Sequence, residues 1–395
     1  MAATSTVPSL RLIVLLGALS TFGPLSMDLY LPGLPEMADD LSASASAAQL
    51  TMTTCMIGLA VGQVVMGPVS DQLGRRRPLL GGLAAFTLAS LLCAVAPSVW
   101  VLMGERLLQG LAGATGIVIA GAIVRDYSGG VASARLFAAL LTVGSVAPVL
   151  APLAGGQLLH ITDWRGTFLA QAAVGVTLLA ACALMLRETL PPERRSSRGF
   201  AATGAALREL SRDRHFVGLA AAMSLSFAGL AIYLGGGSFV LEGIHGMSPQ
   251  LYSVVFAINA AGIIVASQLS RRLVTRLGSG RLLAAGLTSS AVGGAGTLAV
   301  VLAGAPLGFL LVGMFLVVSA VGLVRPNAMA LALEPHPGAA GSATGLMGLA
   351  QFGLSAALLP LAGVAGEDTA VPMAAGMCAV TLLAPVALVL SRRVR

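Results

Sequence analysis

The sequence predicts an all-α membrane protein whose twelve spanning helices are arranged six and six. Three observations predict it. Hydrophobic residues make up 56% of the 395-residue chain and charged residues only 10%, where an ordinary soluble domain carries about 25% charged residues and needs them to cover its surface. Apolar runs recur twelve times along the chain, each near the ~20 residues that cross a bilayer. One long polar stretch, Arg187 to His215, follows the sixth run and leaves six after it. The composition excludes a disordered chain, a nucleic-acid module and an ordinary water-soluble enzyme.

The runs lie near residues 10–36, 47–69, 79–96, 99–124, 136–159, 166–186, 216–240, 250–270, 282–303, 306–330, 338–364 and 370–390. The first outlasts a signal peptide and has no A-x-A cleavage site, so it is expected to stay as a helix. The 49 Gly and 19 Pro that interrupt the runs are tolerated in spanning helices, where small residues let neighbours approach. The expected organisation is an N-terminal bundle over 1–186, a central loop over 187–215 and a C-terminal bundle over 216–395. A weak internal repeat agrees: Gly74 after the second run and Gly278 after the eighth are 204 residues apart, and the same offset carries Leu10 onto Arg214.

All 23 basic residues are Arg, and 21 of them fall at the termini or in loops on one side of the expected membrane. Basic loops stay in the cytoplasm, so both termini and the central loop are expected there. The opposite loops hold Arg165 with Glu36, Asp39, Asp40, Asp163, Glu242, Glu367 and Asp368. Trp100 and Trp164 fall at the outer ends of runs, where interfacial anchors belong. The net charge of +7 therefore reports topology rather than a nucleic-acid partner. Cys55, Cys93, Cys182 and Cys378 are scattered through apolar stretches and read as small core residues. No His/Cys cluster has metal spacing and no Lys exists to complete a Walker A loop, so neither a metal, nor a cofactor, nor ATP hydrolysis by this chain is expected.

Three charged side chains are read as lying within the runs rather than at their ends: Asp28, Glu105 and Arg106. An unpaired charge in the bilayer costs at least about 2.5–3.5 kcal/mol, so such residues face a bundle interior and mark a pathway. Asp28 precedes the broken Pro32–Pro35 segment, and Arg106 lies in the outward half of the fourth run. A pair between them is expected, weakened when Asp28 takes a proton. Burial favours the neutral carboxyl and a guanidinium favours the carboxylate, a balance that suits proton coupling. The alternative is a static tie between the first and fourth helices. Glu105 points about 100° away from Arg106 on the helix and is expected at the outer interface. The second half is expected to supply an apolar wall, with Phe227, Tyr233, Phe256, Asn259 and Phe352 as substrate-contacting candidates alongside Asp28, Tyr30 and Arg106.

Longer patterns add a resemblance. Gly67-x3-Asp71-x2-Gly74-Arg75-Arg76-Arg77 resembles the loop signature of the major facilitator superfamily, with Gln72 where Arg is usual. Arg106-x2-Gln109-Gly110-x2-Gly113 resembles its second signature. Ala147-Pro148-x2-Ala151-Pro152-x2-Gly155-Gly156 resembles its antiporter signature, with Ala147 and Ala151 in place of Gly. Met27-Asp28-Leu29-Tyr30-Leu31-Pro32-Gly33-Leu34-Pro35 and Glu188-Thr189-Leu190-Pro191-Pro192-Glu193-Arg194 resemble the Bcr/CflA-type drug-resistance transporters.

The resemblance covers the whole chain. It implies the major facilitator fold and a drug/proton antiporter of the bacterial inner membrane, working by alternating access as a monomer with drug, proton and lipid as its partners. The alternative of the same fold is a proton-coupled or facilitative metabolite transporter. A receptor or scaffold has no use for the intramembrane charges. Gly67, Asp71, Gly74, Arg75 and Arg76 are expected to gate, Asp71 by latching the bundles. The Arg residues serve equally as topological anchors. Pro148, Pro152, Gly155 and Gly156 are expected to let helices bend and approach closely, controlling leak rather than touching the proton.

Overall fold

The computed structural model describes residues 10–127, 150–195, 204, 207–336, 340–363 and 369–392. Among them every regular element is helical. In chain order these are α1 (Leu10–Asp28), α2 (Leu34–Asp40), α3 (Ala45–Leu73), α4 (Arg76–Ala94) and α5 (Val99–Tyr127). There follow α6 (residues 150–158), α7 (Trp164–Met185), α8 (Arg214–Ser238) and α9 (Pro249–Ala303). The last three are α10 (Leu307–Leu333), α11 (Ala340–Leu358) and α12 (Val371–Arg392). Nine described helices are long and apolar enough to cross a membrane, or ten if the bent pair Leu12–Gly23 and Leu25–Asp40 is one span. α9 has 55 residues, which as one straight helix would be about 80 Å long, over twice a ~30 Å bilayer core. Gly278, with φ of 75°, breaks it into the two spans that the apolar runs 250–270 and 282–303 require. The fifth run is described only from residue 150.

Local chemistry sets the ends. Ser44, Asp163, Asp213 and Ser248 accept from backbone N–H groups of the first turns of α3, α7, α8 and α9, satisfying donors that a helix start leaves open. Gly74 turns the chain between α3 and α4 with φ of 89°. A Cβ there would also lie 2.5 Å from a Glu188 oxygen, so conformation and space both require glycine.

Three hydrophobic cores order the molecule. One, rich in Leu15, Leu19, Leu83, Ile123 and Leu178, belongs to the first half alone. A second, with Phe216, Leu219, Leu287, Val324 and Leu388, belongs to the second half alone. Both lie at the end of the helices where the arginines cluster. The third joins Tyr30, Leu34, Met52 and Phe168 to Tyr233, Leu241, Tyr252, Phe256, Leu359 and Met373. It lies at the arginine-poor end and is made by both halves. α11 packs on α3, and the 3₁₀ turn Leu31–Gly33 that follows α1 packs on α8 and α9. The halves therefore seal one end and keep separate cores at the other. Large apolar side chains such as Leu88, Trp100, Leu184, Val265, Phe309 and Leu383 are exposed on the outside, the surface that lipid covers.

Two sequence expectations change. Trp164 is not an interfacial anchor but is fully buried; its Nε1 donates to Asp40 at 3.1 Å and its ring meets Phe168 edge-on. Glu242 is not in a loop. The eighth helix runs on past its apolar run as a π-helix, Phe239–Ile244, marked by His245 N donating to Val240 O at 3.1 Å.

Candidate functional site

The intramembrane charges sit in the sealed end, but not as a pair. α1 ends at Asp28, which is 7% exposed. No ion pair joins it to Arg106 among the described residues. Arg106 is fully buried and donates from Nη1 to the Ser26 carbonyl at 3.0 Å and to the Gln109 side chain. Its guanidinium lies 4.5 Å from the Tyr30 ring centre and 5.5 Å from that of Phe168, within cation–π range. Gln109 donates onward to Ser90 at 2.7 Å and to Gln171 at 2.9 Å, and Gln171 returns to Ser26 at 3.4 Å. This polar network, with the two rings, offsets part of the cost of burying the charge without a carboxylate. Nε and Nη2 of Arg106 have no acceptor among the described residues. Asp28 instead lies within electrostatic range of the Tyr252 hydroxyl in the second half. The arginine is spent on the main-chain carbonyl of Ser26, one of the carbonyls of the last turn of α1, where a helix leaves acceptors open.

Glu105 keeps one buried oxygen without a partner, on a half-buried side chain. The candidates of the second half pack on one another: Tyr233 stacks on Phe256 at 5.9 Å, Asn259 donates to the Tyr233 hydroxyl at 3.0 Å, and Phe227 meets Phe352 edge-on at 5.6 Å. Tyr30 shares a hydrogen bond with Thr51 at 3.1 Å. Phe227 and Phe352 are only half-buried, whereas Tyr30, Tyr233, Phe256 and Asn259 are buried.

The antiporter-like residues join these clusters. A Cβ at Gly155 would lie 2.0 Å from the Leu29 carbonyl, and one at Gly156 would lie 2.3 Å from Ser253 Oγ. Gln250 donates to the Gly156 carbonyl at 3.3 Å. α6 is thus wedged between the end of α1, beside Asp28, and the start of α9, beside Tyr252. Pro152 is buried in the same helix; Pro148 lies outside the described residues.

The loop signature forms a separate cluster at the arginine-rich end. Arg75 reaches Asp71 at 2.5 Å, Ser70 at 2.9 Å and Asp126 of α5 at 2.9 Å. Glu188 accepts from the backbone N–H groups of Arg75 and Arg76 at 2.8 and 3.2 Å, and Thr189 donates to Asp126 at 2.9 Å. Arg76 caps the end of α7 through the Ala183 and Leu186 carbonyls. Partial burial works to raise the Glu188 carboxyl, but four backbone donors outweigh it and hold it below the usual carboxylate range. Asp71 binds within its own half in this conformation. Asp126 and Glu188 had no assigned role in the sequence reading, though Glu188 opens the Glu-Thr-Leu-Pro-Pro pattern. Gly67 has open space at its Cβ position.

Two helical halves that close over buried charge at one end and part at the other define a multi-pass membrane transporter, not an enzyme. The chain belongs to the major facilitator superfamily, whose family model matches residues 15–360. It is 38% identical over 370 residues, covering 93% of this chain and 92% of the other, to the uncharacterized MFS-type transporter YdgK of Bacillus subtilis. It is 31% identical over 363 residues, 91% of each chain, to a bicyclomycin resistance protein homolog of Haemophilus influenzae. A crystal structure of a mutant of the nucleoside transporter NupG superposes with a TM-score of 0.78 over 98% of this chain and 100% of that one at 13% identity, a likeness of fold.

Proposed function

We propose that this transporter is a drug/proton antiporter that exports small apolar, neutral or weakly charged antibiotics by alternating access. The observation that carries the reading is Asp28: a carboxyl at the end of α1, inside the core shared by both halves, with no ion pair to a cation among the described residues. Such a group changes its proton affinity whenever the seal opens, because water then solvates its charge. The resistance name of the Haemophilus relative supports a drug as the cargo.

The arginine-rich end is cytoplasmic by the basic-loop rule, in a bacterial inner membrane with both termini inside. The domains are 1–186 and 216–395, joined by the loop 187–215, and the monomer is the working unit. The conformation is then closed to the outside. Drug enters between the separate cores and meets Phe227 and Phe352 first. Arg106 offers two N–H groups to a carbonyl of the drug, while Tyr30, Tyr233, Phe256 and Asn259 complete the wall. With little polar surface the site compensates poorly for the lost hydration of a multiply charged ligand, so dianions are excluded. When the seal opens outward, Asp28 takes a proton and the drug leaves; on return, Asp28 gives the proton to the cytoplasm.

Uptake into everted vesicles under an imposed pH gradient is the test. Asp28→Asn should abolish gradient-driven transport, a loss of at least about 100-fold, in protein that inserts normally. Asp28→Glu should keep part of it. Wild-type transport by Asp28→Asn would end the proposal.

A further inference from the structure

We propose that Arg325 forms an anion-binding position in the cytoplasmic entrance, and that the cargo it selects is an amphipath carrying a single negative charge. The inference rests on the drug export proposed above and names the charge class of that cargo. The basic-loop rule counts Arg325 with the cytoplasmic arginines, but the residue lies inside α10, two turns before the helix ends at Leu333. Met314, Val318, Val321 and Arg325 follow one another at intervals of four, three and four residues, so they share one face of the helix. Met314, Val318 and Val321 are buried in the core that both halves share. Arg325 continues that face to where the halves keep separate cores, and there it is exposed. Protein atoms surround its guanidinium as densely as they surround that of the fully buried Arg106. A side chain that water reaches but protein encloses lines a recess, not the lipid-facing outside.

No ion pair engages Arg325 among the described residues. The acids of that end are held elsewhere: Asp71 and Asp126 by Arg75, Glu188 by backbone N–H groups and Asp213 by His336. Glu193, Glu209 and Glu334 are exposed beyond the ends of the spans. An unpaired charge in a cleft walled by protein focuses its field there and concentrates ions of opposite sign. Further in, Arg106 keeps two N–H groups without an acceptor among the described residues. By the rise of a helix, Arg106 stands about 10 Å from the outer start of α5 and Arg325 about 27 Å from that of α10. Two cations without a carboxylate therefore follow one another in depth, with Val318 and Val321 between them. Such a path suits an apolar body with one acidic group and repels a cationic one.

Two dyes with the same apolar body test it: anilinonaphthalene sulfonate, a monoanion, and phenylnaphthylamine, which lacks the sulfonate. Each is titrated onto purified protein in lipid nanodiscs, with protein-free discs subtracted. Arg325→Gln should weaken sulfonate binding about tenfold, the worth of one hydrogen bond to a charged group, and leave the neutral dye unchanged. Arg325→Lys should keep most of the sulfonate affinity. Wild-type sulfonate affinity in Arg325→Gln would overturn the proposal. An equal loss for both dyes would overturn it too, since that marks a structural role. The four native cysteines are buried, so Arg325→Cys in everted vesicles offers one site to a membrane-impermeant thiol reagent. Labelling that the sulfonate dye slows is expected; absence of labelling would place the residue against lipid and sink the idea. Dye binding is read without a gradient. Wild-type vesicles with no gradient-driven uptake would end the export reading, while the dye comparison still decides the anion position.

Discussion

The two ends of the molecule are held by different forces. At the arginine-rich end, charge ties elements within one half: Arg75 to Asp71 and Asp126, Glu188 to the α3–α4 turn, and His336 to Asp213 at 2.8 Å. At the arginine-poor end, both halves share an apolar core. Breaking the partly buried Arg75–Asp126 pair leaves a polar group stranded, at about 1–3 kcal/mol. Parting two largely apolar faces breaks the Gln250–Gly156 hydrogen bond but strands no ion-paired charge among the described residues, and apolar contact is non-directional. Electrostatics therefore makes each half one rigid piece, and the seam that has to open is the apolar one.

Gly155→Ala would break the comparison most severely. Its Cβ would press on the Leu29 carbonyl, a backbone atom that cannot swing aside. Overpacking of this kind costs about 1–3 kcal/mol, here only in the sealed state, so transport should fall roughly 10-fold or more. Gly81→Ala, with open space at its Cβ, is the control. A Gly155→Ala protein with wild-type transport would show that the seam tolerates the gap.

Arg75→Ala and Asp71→Ala sharpen it next. The Arg75 side chain is 8% exposed and the Asp71 side chain 46%. Losing Arg75 leaves Asp126 and Ser70 without it as well, and should lower stability by about 1–3 kcal/mol with a matching fall in turnover. Losing Asp71 should cost under about 1 kcal/mol, and drug affinity should hold in both. A larger turnover loss for Asp71→Ala would mean that Asp71 gains a partner across the seam in the other access state.

The smallest effect concerns Asp213. Burial works against its carboxylate, but His336 and the backbone N–H groups of His215 and Phe216 outweigh that and hold it below the usual range. A lowered carboxyl contributes stability above the ordinary carboxylate pKa and loses it as pH falls through the lowered value. Asp213→Asn should therefore melt earlier at neutral pH, by up to about 1 kcal/mol. The difference should close as pH falls through that lowered value. A gap independent of pH would mean that the ion pair contributes nothing.

The helices were legible in the sequence because apolar length alone determines a span, and the break at Gly278 because a glycine separates two runs. Side-chain partners were not. Asp28 and Arg106 share a depth, but depth leaves the partner open, and the guanidinium meets the Ser26 main-chain carbonyl rather than the Asp28 carboxyl. Glu242 was read as loop because its charge ends the apolar run, while the backbone continues in π geometry for residues that periodicity cannot register. Trp164 was read as an anchor because its position fits one. Its burial depends on α2 folding back over α7, a tertiary contact that leaves no local pattern. Gly155 and Gly156 were legible as close-approach positions, though not which backbone they approach.

The shared core also gives the access equilibrium a temperature. Opening the seal hydrates apolar surface, and hydration of such surface carries a positive heat capacity. The free-energy gap between the two access states is then a curved function of temperature, and apolar closure weakens on cooling. Cold should leave a larger fraction of molecules open to the outside, and an Arrhenius plot of efflux should bend even though each half stays folded throughout.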